Sequence, residues 1–215
     1  MITVSDDVVD VDVVLREGGL SCPDCLSCLV PWGSARPRRV RVGLGGVGVV
    51  RVYRPRRVRC SGCRVTHVLL DVGLAARRAD AAAVIAAAVE KKVAVGWGHR
   101  RIAEWLGRPA TTVRGWLRAF VGSASGITEW FTSLVVRDAP DAVVVWPAPA
   151  ADGPSAALSA LLAYAAGLGR RFGVVGEVAW VRTGISVTGG RLFCAGFWGS
   201  GVQHEPALSR GVSQR

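Results

Sequence analysis

The chain has 215 residues, a formal net charge of +11 and 50% hydrophobic residues, which excludes global disorder and suits one ordinary domain or two to three small ones. All but two of its 27 Lys and Arg residues are arginine, and so basic a chain calls for a polyanionic partner. No apolar run reaches the ~18 residues of a membrane span. The acidic opening MITVSDDVVDVDVV has no signal-peptide n-region, so the chain is read as cytoplasmic and nucleoid-associated, with no membrane contact.

Residues 1–20 alternate Asp and Val and read as an N-terminal arm, either a strand or loose. Residues 21–78 read as a zinc-ribbon-like domain. They contain two C-x-x-C knuckles, Cys22-Pro-Asp-Cys25 and Cys60-Ser-Gly-Cys63. A tetrahedral Zn²⁺ takes four thiolates at ~2.3 Å, and a two-residue spacer lets one tight turn present two of them. In a reducing compartment such spacing points to metal before disulfide. Cys22, Cys25, Cys60 and Cys63 are therefore the expected ligands of one structural Zn²⁺, with Cys28 and His67 as alternates. Cys28 extends the first knuckle to C-x-x-C-x-x-C, but the fourth, proline-followed cysteine of a ferredoxin run is missing. Cys194, remote and apolar-flanked, reads as a buried thiol.

Between the knuckles, Gly43, Gly45 and Gly48 have G-x-G-x-x-G spacing. A dinucleotide fingerprint requires its third glycine to open a helix and an acidic residue ~20 positions on. Here a β-branched run follows, and no acidic residue lies between Asp24 and Asp71. The glycines instead read as the bend of a hairpin, Arg38–Val42 against Val49–Arg59, that brings the second knuckle back to the first. Ten arginines between Arg36 and Arg64, among them Arg54, Arg56 and Arg57, crowd this acid-free stretch. Such crowding points to nucleic-acid phosphates, the alternative being a solvated basic face.

Residues 79–122 read as a three-helix helix-turn-helix domain. Asp80 is the expected N-cap of a helix running to Val93, and the glycines of Ala94–Gly98 break it. His99–Leu106 and Pro109–Phe120 follow. Ala103 is the small residue a close helix crossing needs, and Gly107 tolerates the left-handed turn. Ile102, Leu106, Val113, Trp116 and Leu117 point inward. Arg108, Thr111, Thr112, Arg114 and Arg118 are placed on the outer face, with Thr111, Thr112 and Arg114 expected to read bases. Arg100, Arg101, Arg54, Arg56 and Arg57 are expected to meet phosphates.

Residues 123–198 read as a mostly helical region of unknown role. It comprises a helix near Ile127–Arg137, a proline-punctuated linker, an alanine-rich helix Ala156–Arg171, and Gly176–Phe197 as either helix or strand. Residues 199–215 read as a disordered tail. The fold class expected is thus α+β, mainly α: a small β zinc ribbon, then helices.

The segments CPDC, RRVRCSGCRVTHVLL, GHRRIAEWLGRPATTVRGWLRAF and TGGRLF resemble uncharacterised helix-turn-helix domain-containing proteins of high-GC bacteria, similar to the DNA-binding front ends of insertion-sequence transposases. The resemblance covers about residues 20–122. It implies double-stranded DNA as partner and a mobile-element or regulatory setting, with a transposase or integrase chain as a further partner.

An RNase H-type transposase needs three carboxylates around two Mg²⁺ ions. After Gly122 the acids are Glu129, Asp138, Asp141, Asp152, Glu177 and Glu205, scattered around a linker and a tail. A non-catalytic DNA-binding protein is therefore expected. A transposase subunit and a zinc-stabilised interaction module, docking through Trp130 and Phe131, are the alternatives.

Overall fold

The computed structural model describes residues 1–4, 11–45, 48–141, 152–174 and 179–198. Among them are six strands and seven α-helices, a mixed α/β architecture with the strands confined to the N-terminal third. The expected tail, all but a few residues of the linker, and the centre of the glycine bend lie outside the described residues.

Two sheets form, and they belong to different cores. The first has strand order β1 (Ile2–Val4), β6 (Thr66–Asp71), β5 (Arg56–Cys60), β2 (Leu29–Ser34). β1 runs parallel to β6, and the other pairings are antiparallel. The N-terminal residues Ile2–Val4 are therefore a sheet strand, and helix α1 (Val11–Arg16) follows them. Alternation sorts the strands into two faces. Leu29, Val58, Cys60 and Leu69 point to one side, where they form a small core with Leu15 of α1 and with Cys22. Val30, Arg59 and Thr66, in register across the three antiparallel strands, point to the other.

The second sheet is the hairpin of β3 (Arg38–Val42) and β4 (Val49–Tyr53). Its place departs from expectation: it does not itself carry the second knuckle back. The chain breaks at Arg54-Pro55, and β5 pairs with β2 instead. Val40 is buried in the larger, helical core, and Val42 and Tyr53 pack against that core. The backbone of Arg41 exchanges hydrogen bonds with the entry to the helices, its N–H donating to Ala79 O (2.9 Å) and its carbonyl accepting from Ala81 N–H (3.0 Å).

The helical core gathers α2 (Ala82–Val93), α3 (His99–Leu106), α4 (Ala110–Gly122), α5 (Ala124–Asp138), α6 (Gly153–Arg171) and α7 (Trp180–Val187). The region left open between helix and strand at Gly176–Phe197 contains the helix α7, then a 3₁₀ turn at Ala195–Phe197. Asp152 caps α6, its carboxylate accepting from Ser155 N–H at 2.7 Å, with Pro154 in the first turn. Alanine and glycine on α6 allow close approach, and its Tyr164 is fully buried beside Phe131 of α5. Tyr164 donates its hydroxyl proton to Asp138 at 2.8 Å. Cys194 is half-buried rather than buried, with its thiol donating to Ala76 O at 3.5 Å.

Candidate metal centre and nucleic-acid interface

The four knuckle thiols come together. Each lies on a turn beside a strand: Cys22 and Cys25 precede β2, while Cys60 ends β5 and Cys63 closes the tight turn after it. Pairing of Leu29 with Cys60 across β2 and β5 sets one knuckle against the other. The ligand atoms of Cys22, Cys25, Cys60 and Cys63 all lie within 4.8 Å of one another. Cys22 Sγ and Cys63 Sγ are 3.7 Å apart, and Cys25 Sγ and Cys60 Sγ are 3.3 Å apart. Metal–sulfur bonds of ~2.3 Å in a tetrahedron imply sulfur–sulfur edges of about 3.8 Å, so the cluster fits one tetrahedral ion with small adjustments.

Electrostatics also favour a cation here. Ser27 donates its N–H and hydroxyl to Cys25 and holds that thiol down to about 6. At Cys63 the Val65 N–H pulls downward, but desolvation and the thiols of Cys60, Cys25 and Cys22 outweigh it and push the group up to about 12. Burial raises Cys22 as well. One thiolate therefore suppresses its neighbours, and a bound cation removes that repulsion.

The two alternates separate. Cys28 is exposed and stands outside the four-thiol group, and its carbonyl accepts from Ser61 N–H at 3.0 Å. His67 is buried with Nε2 3.5 Å from Cys22 Sγ, in a second grouping with Cys22 and Asp24. Burial, then the charge of the chain's N-terminus, lowers its pKa and keeps the ring neutral near pH 7. With its proton on Nε2, the neutral ring would donate to the Cys22 sulfur and orient it.

In the helices, α3 has the predicted bounds. Gly107 at its C-terminus adopts φ 62°, ψ 41°, the left-handed conformation anticipated for the turn. Ile102, Ala103, Leu106, Val113, Trp116 and Leu117 are all buried. Thr111, Arg114 and Arg118 of α4 are exposed and Thr112 is half-buried. Arg100 and Arg101 are exposed on α3, the Arg101 guanidinium lying 4.2 Å over the Trp97 ring. Arg54, Arg56 and Arg57 are exposed, and Arg56 pairs with Asp12 of α1.

Arg108 does not take its expected place on the outer face: its side chain is only 2% exposed. Its Nε donates to Asp80 Oδ1 at 2.6 Å and its Nη1 to Leu106 O at 3.0 Å. Asp80, expected to cap α2, makes no cap: Ala81 occupies that position, without a side-chain hydrogen bond. The carboxylate of Asp80 instead receives Arg108 from the α3–α4 turn and Arg41 from β3, the latter through Nε at 3.0 Å and Nη2 at 2.8 Å. Two arginines thus converge on one buried acid, and hairpin, helix entry and turn are tied together. The signal available in sequence was that Asp80 is the lone acid between Asp71 and Glu90, beside an alanine-rich, buried run.

No helix among the described residues is long and apolar enough to cross a membrane. None of the family models, curated proteins or solved structures compared with the chain matches it.

Proposed function

We propose that this chain is a non-catalytic DNA-binding protein in which a structural zinc ion holds the N-terminal sheet and α2–α4 form a helix-turn-helix, with α4 as the recognition helix. The carrying observation is the division of α4. Val113, Trp116, Leu117 and Phe120 are buried, while Thr111, Arg114 and Arg118 are left to water. A helix that spends its apolar side on the core and offers Thr and Arg near its N-terminus matches what the major groove accepts. There Arg pairs with guanine O6 and N7, and Thr meets phosphate or the thymine methyl.

Four thiolates suit Zn²⁺ over harder cations and fill its coordination, so the ion supplies folding energy and no bound water for chemistry. Two carboxylates of the C-terminal helices already have structural work: Asp152 caps α6, and Asp138 binds Tyr164 and Arg137. The setting is transcription regulation or a mobile element, with a transposase or integrase chain as the partner in the latter case.

The test is selection of bound duplexes from a random pool with the zinc-loaded chain. An enriched motif is expected, with affinity falling roughly 10³–10⁵-fold between 50 and 200 mM salt for ~6–10 phosphate contacts. An unenriched pool with flat salt dependence overturns the reading.

A further inference from the structure

The sheet beside the four thiols has two unlike faces. Leu29, Val58, Cys60 and Leu69 close one of them against α1 and the first knuckle. The other is in water, although it carries apolar surface: Val30 is 43% exposed and Trp32, on the edge strand β2, is 53% exposed. An indole left this open loses the gain of burial, so its surroundings matter. They are basic. The Arg59 guanidinium sits 4.6 Å over the Trp32 ring and occupies one face of it. Its Nε donates to Arg64 O at 3.3 Å, which fixes the guanidinium over the ring. Arg57 and Arg64 are exposed nearby, and no acidic residue occurs between Asp24 and Asp71 to oppose them.

We propose that this open sheet face is a stacking platform for unpaired bases of single-stranded DNA, with Trp32 as the stacking surface and Arg57 and Arg64 facing the phosphates. Proteins that hold single strands without sequence preference combine two elements: an aromatic surface, which every base can stack on, and a cationic track for the backbone. Both are present here on one face. Paired bases have their π-faces covered by neighbours in the duplex, so the platform selects unpaired nucleotides. Arg59, over one face of the indole, adds a cation–π contribution and leaves the rest of the exposed ring to a base. This goes beyond duplex recognition by α4 and uses different residues.

The experiment titrates the full-length, zinc-loaded chain against fluorescein-labelled dT12, an abasic 12-mer of the same charge, and a duplex, reading anisotropy. Wild type is expected to bind dT12 more tightly than the abasic strand. Trp32→Ala is expected to weaken dT12 about 5- to 150-fold per stacked base, while abasic-strand and duplex binding stay within about twofold and Trp32→Phe keeps most of the affinity. Zinc content and circular dichroism of each variant verify folding. The proposal is overturned if wild type does not prefer dT12 to the abasic strand. It is also overturned if Trp32→Ala leaves dT12 binding intact, as a protein-docking face would, or weakens all three probes alike. A failure of duplex binding alone would count against the recognition helix and leave this test readable.

Discussion

Asn in place of Asp80 keeps the shape of the side chain and removes the one negative charge between Arg41 and Arg108. The two arginines respond differently. Arg41 is 37% exposed at its side chain, so it can turn to water, and its loss is discounted accordingly. Arg108, at 2%, cannot. It keeps Leu106 O at 3.0 Å and a weak contact to Gly107 O at 3.4 Å, while its Nη2 is already without a hydrogen-bond partner. Breaking a buried pair from one side costs about 3–5 kcal/mol, because an uncompensated charge remains. That is a large fraction of the ~5–15 kcal/mol that holds an ordinary domain together. Urea unfolding followed by tryptophan fluorescence measures it. Changing Arg108 to Met in the same chain removes the stranded charge, and the double variant is expected within about 1–2 kcal/mol of wild type. A cost below about 1 kcal/mol for Asp80→Asn, or a double variant no more stable than the single one, refutes the account of hairpin and turn tied through one acid.

Three further outcomes follow from the same structure. If the four thiols hold one zinc as proposed, Cys60→Ser, or a strong chelator, should abolish its binding and unfold the sheet core of Leu15, Leu29, Val58 and Leu69, while the helical signal in circular dichroism largely persists because the helices have their own core; Cys28→Ser should leave one zinc per chain by metal analysis. Gly107→Ala should cost about 1–2 kcal/mol in urea melts, since a Cβ is disfavoured at φ 62°. The Asp138 carboxyl is held below the usual carboxylate range, chiefly by the Arg137 hydrogen bond and also by Tyr164, with burial opposing. Its stabilising contribution is therefore complete above pH ~4 and is lost as pH falls through the lowered value. Asp138→Asn should flatten the acid limb of stability against pH in that window alone.

Local signals and the paired metal knuckles were legible, while other contacts between distant parts of the chain were not. The bounds of α3 and the left-handed turn at Gly107 follow from capping and helix-packing rules that act within a few residues, and the two knuckles announce a shared site through spacing alone. Arg108 and Asp80 are 28 positions apart, and nothing local says that an arginine after a turn will fold inward to meet a buried acid. The glycine-rich bend marks β3–β4 as a hairpin, yet its docking on the helices depends on Val40 finding the helical core, a matter of tertiary packing. The pairing of β1 with β6 spans most of the N-terminal region, and alternating Asp and Val could not reveal it.

The proposed role of α4 is to read sequence in duplex DNA. The most direct measurement is a titration of Arg114→Ala and Arg100→Ala against the selected duplex and a scrambled one at fixed salt. Arg114→Ala is expected to lose about 1–3 kcal/mol on the selected duplex, with the scrambled one little changed and preference relaxed at one base pair. Arg100→Ala, at a proposed phosphate contact, is expected to weaken both duplexes nearly equally. Equal losses on the two duplexes for Arg114→Ala would contradict the assignment of α4 as the recognition helix.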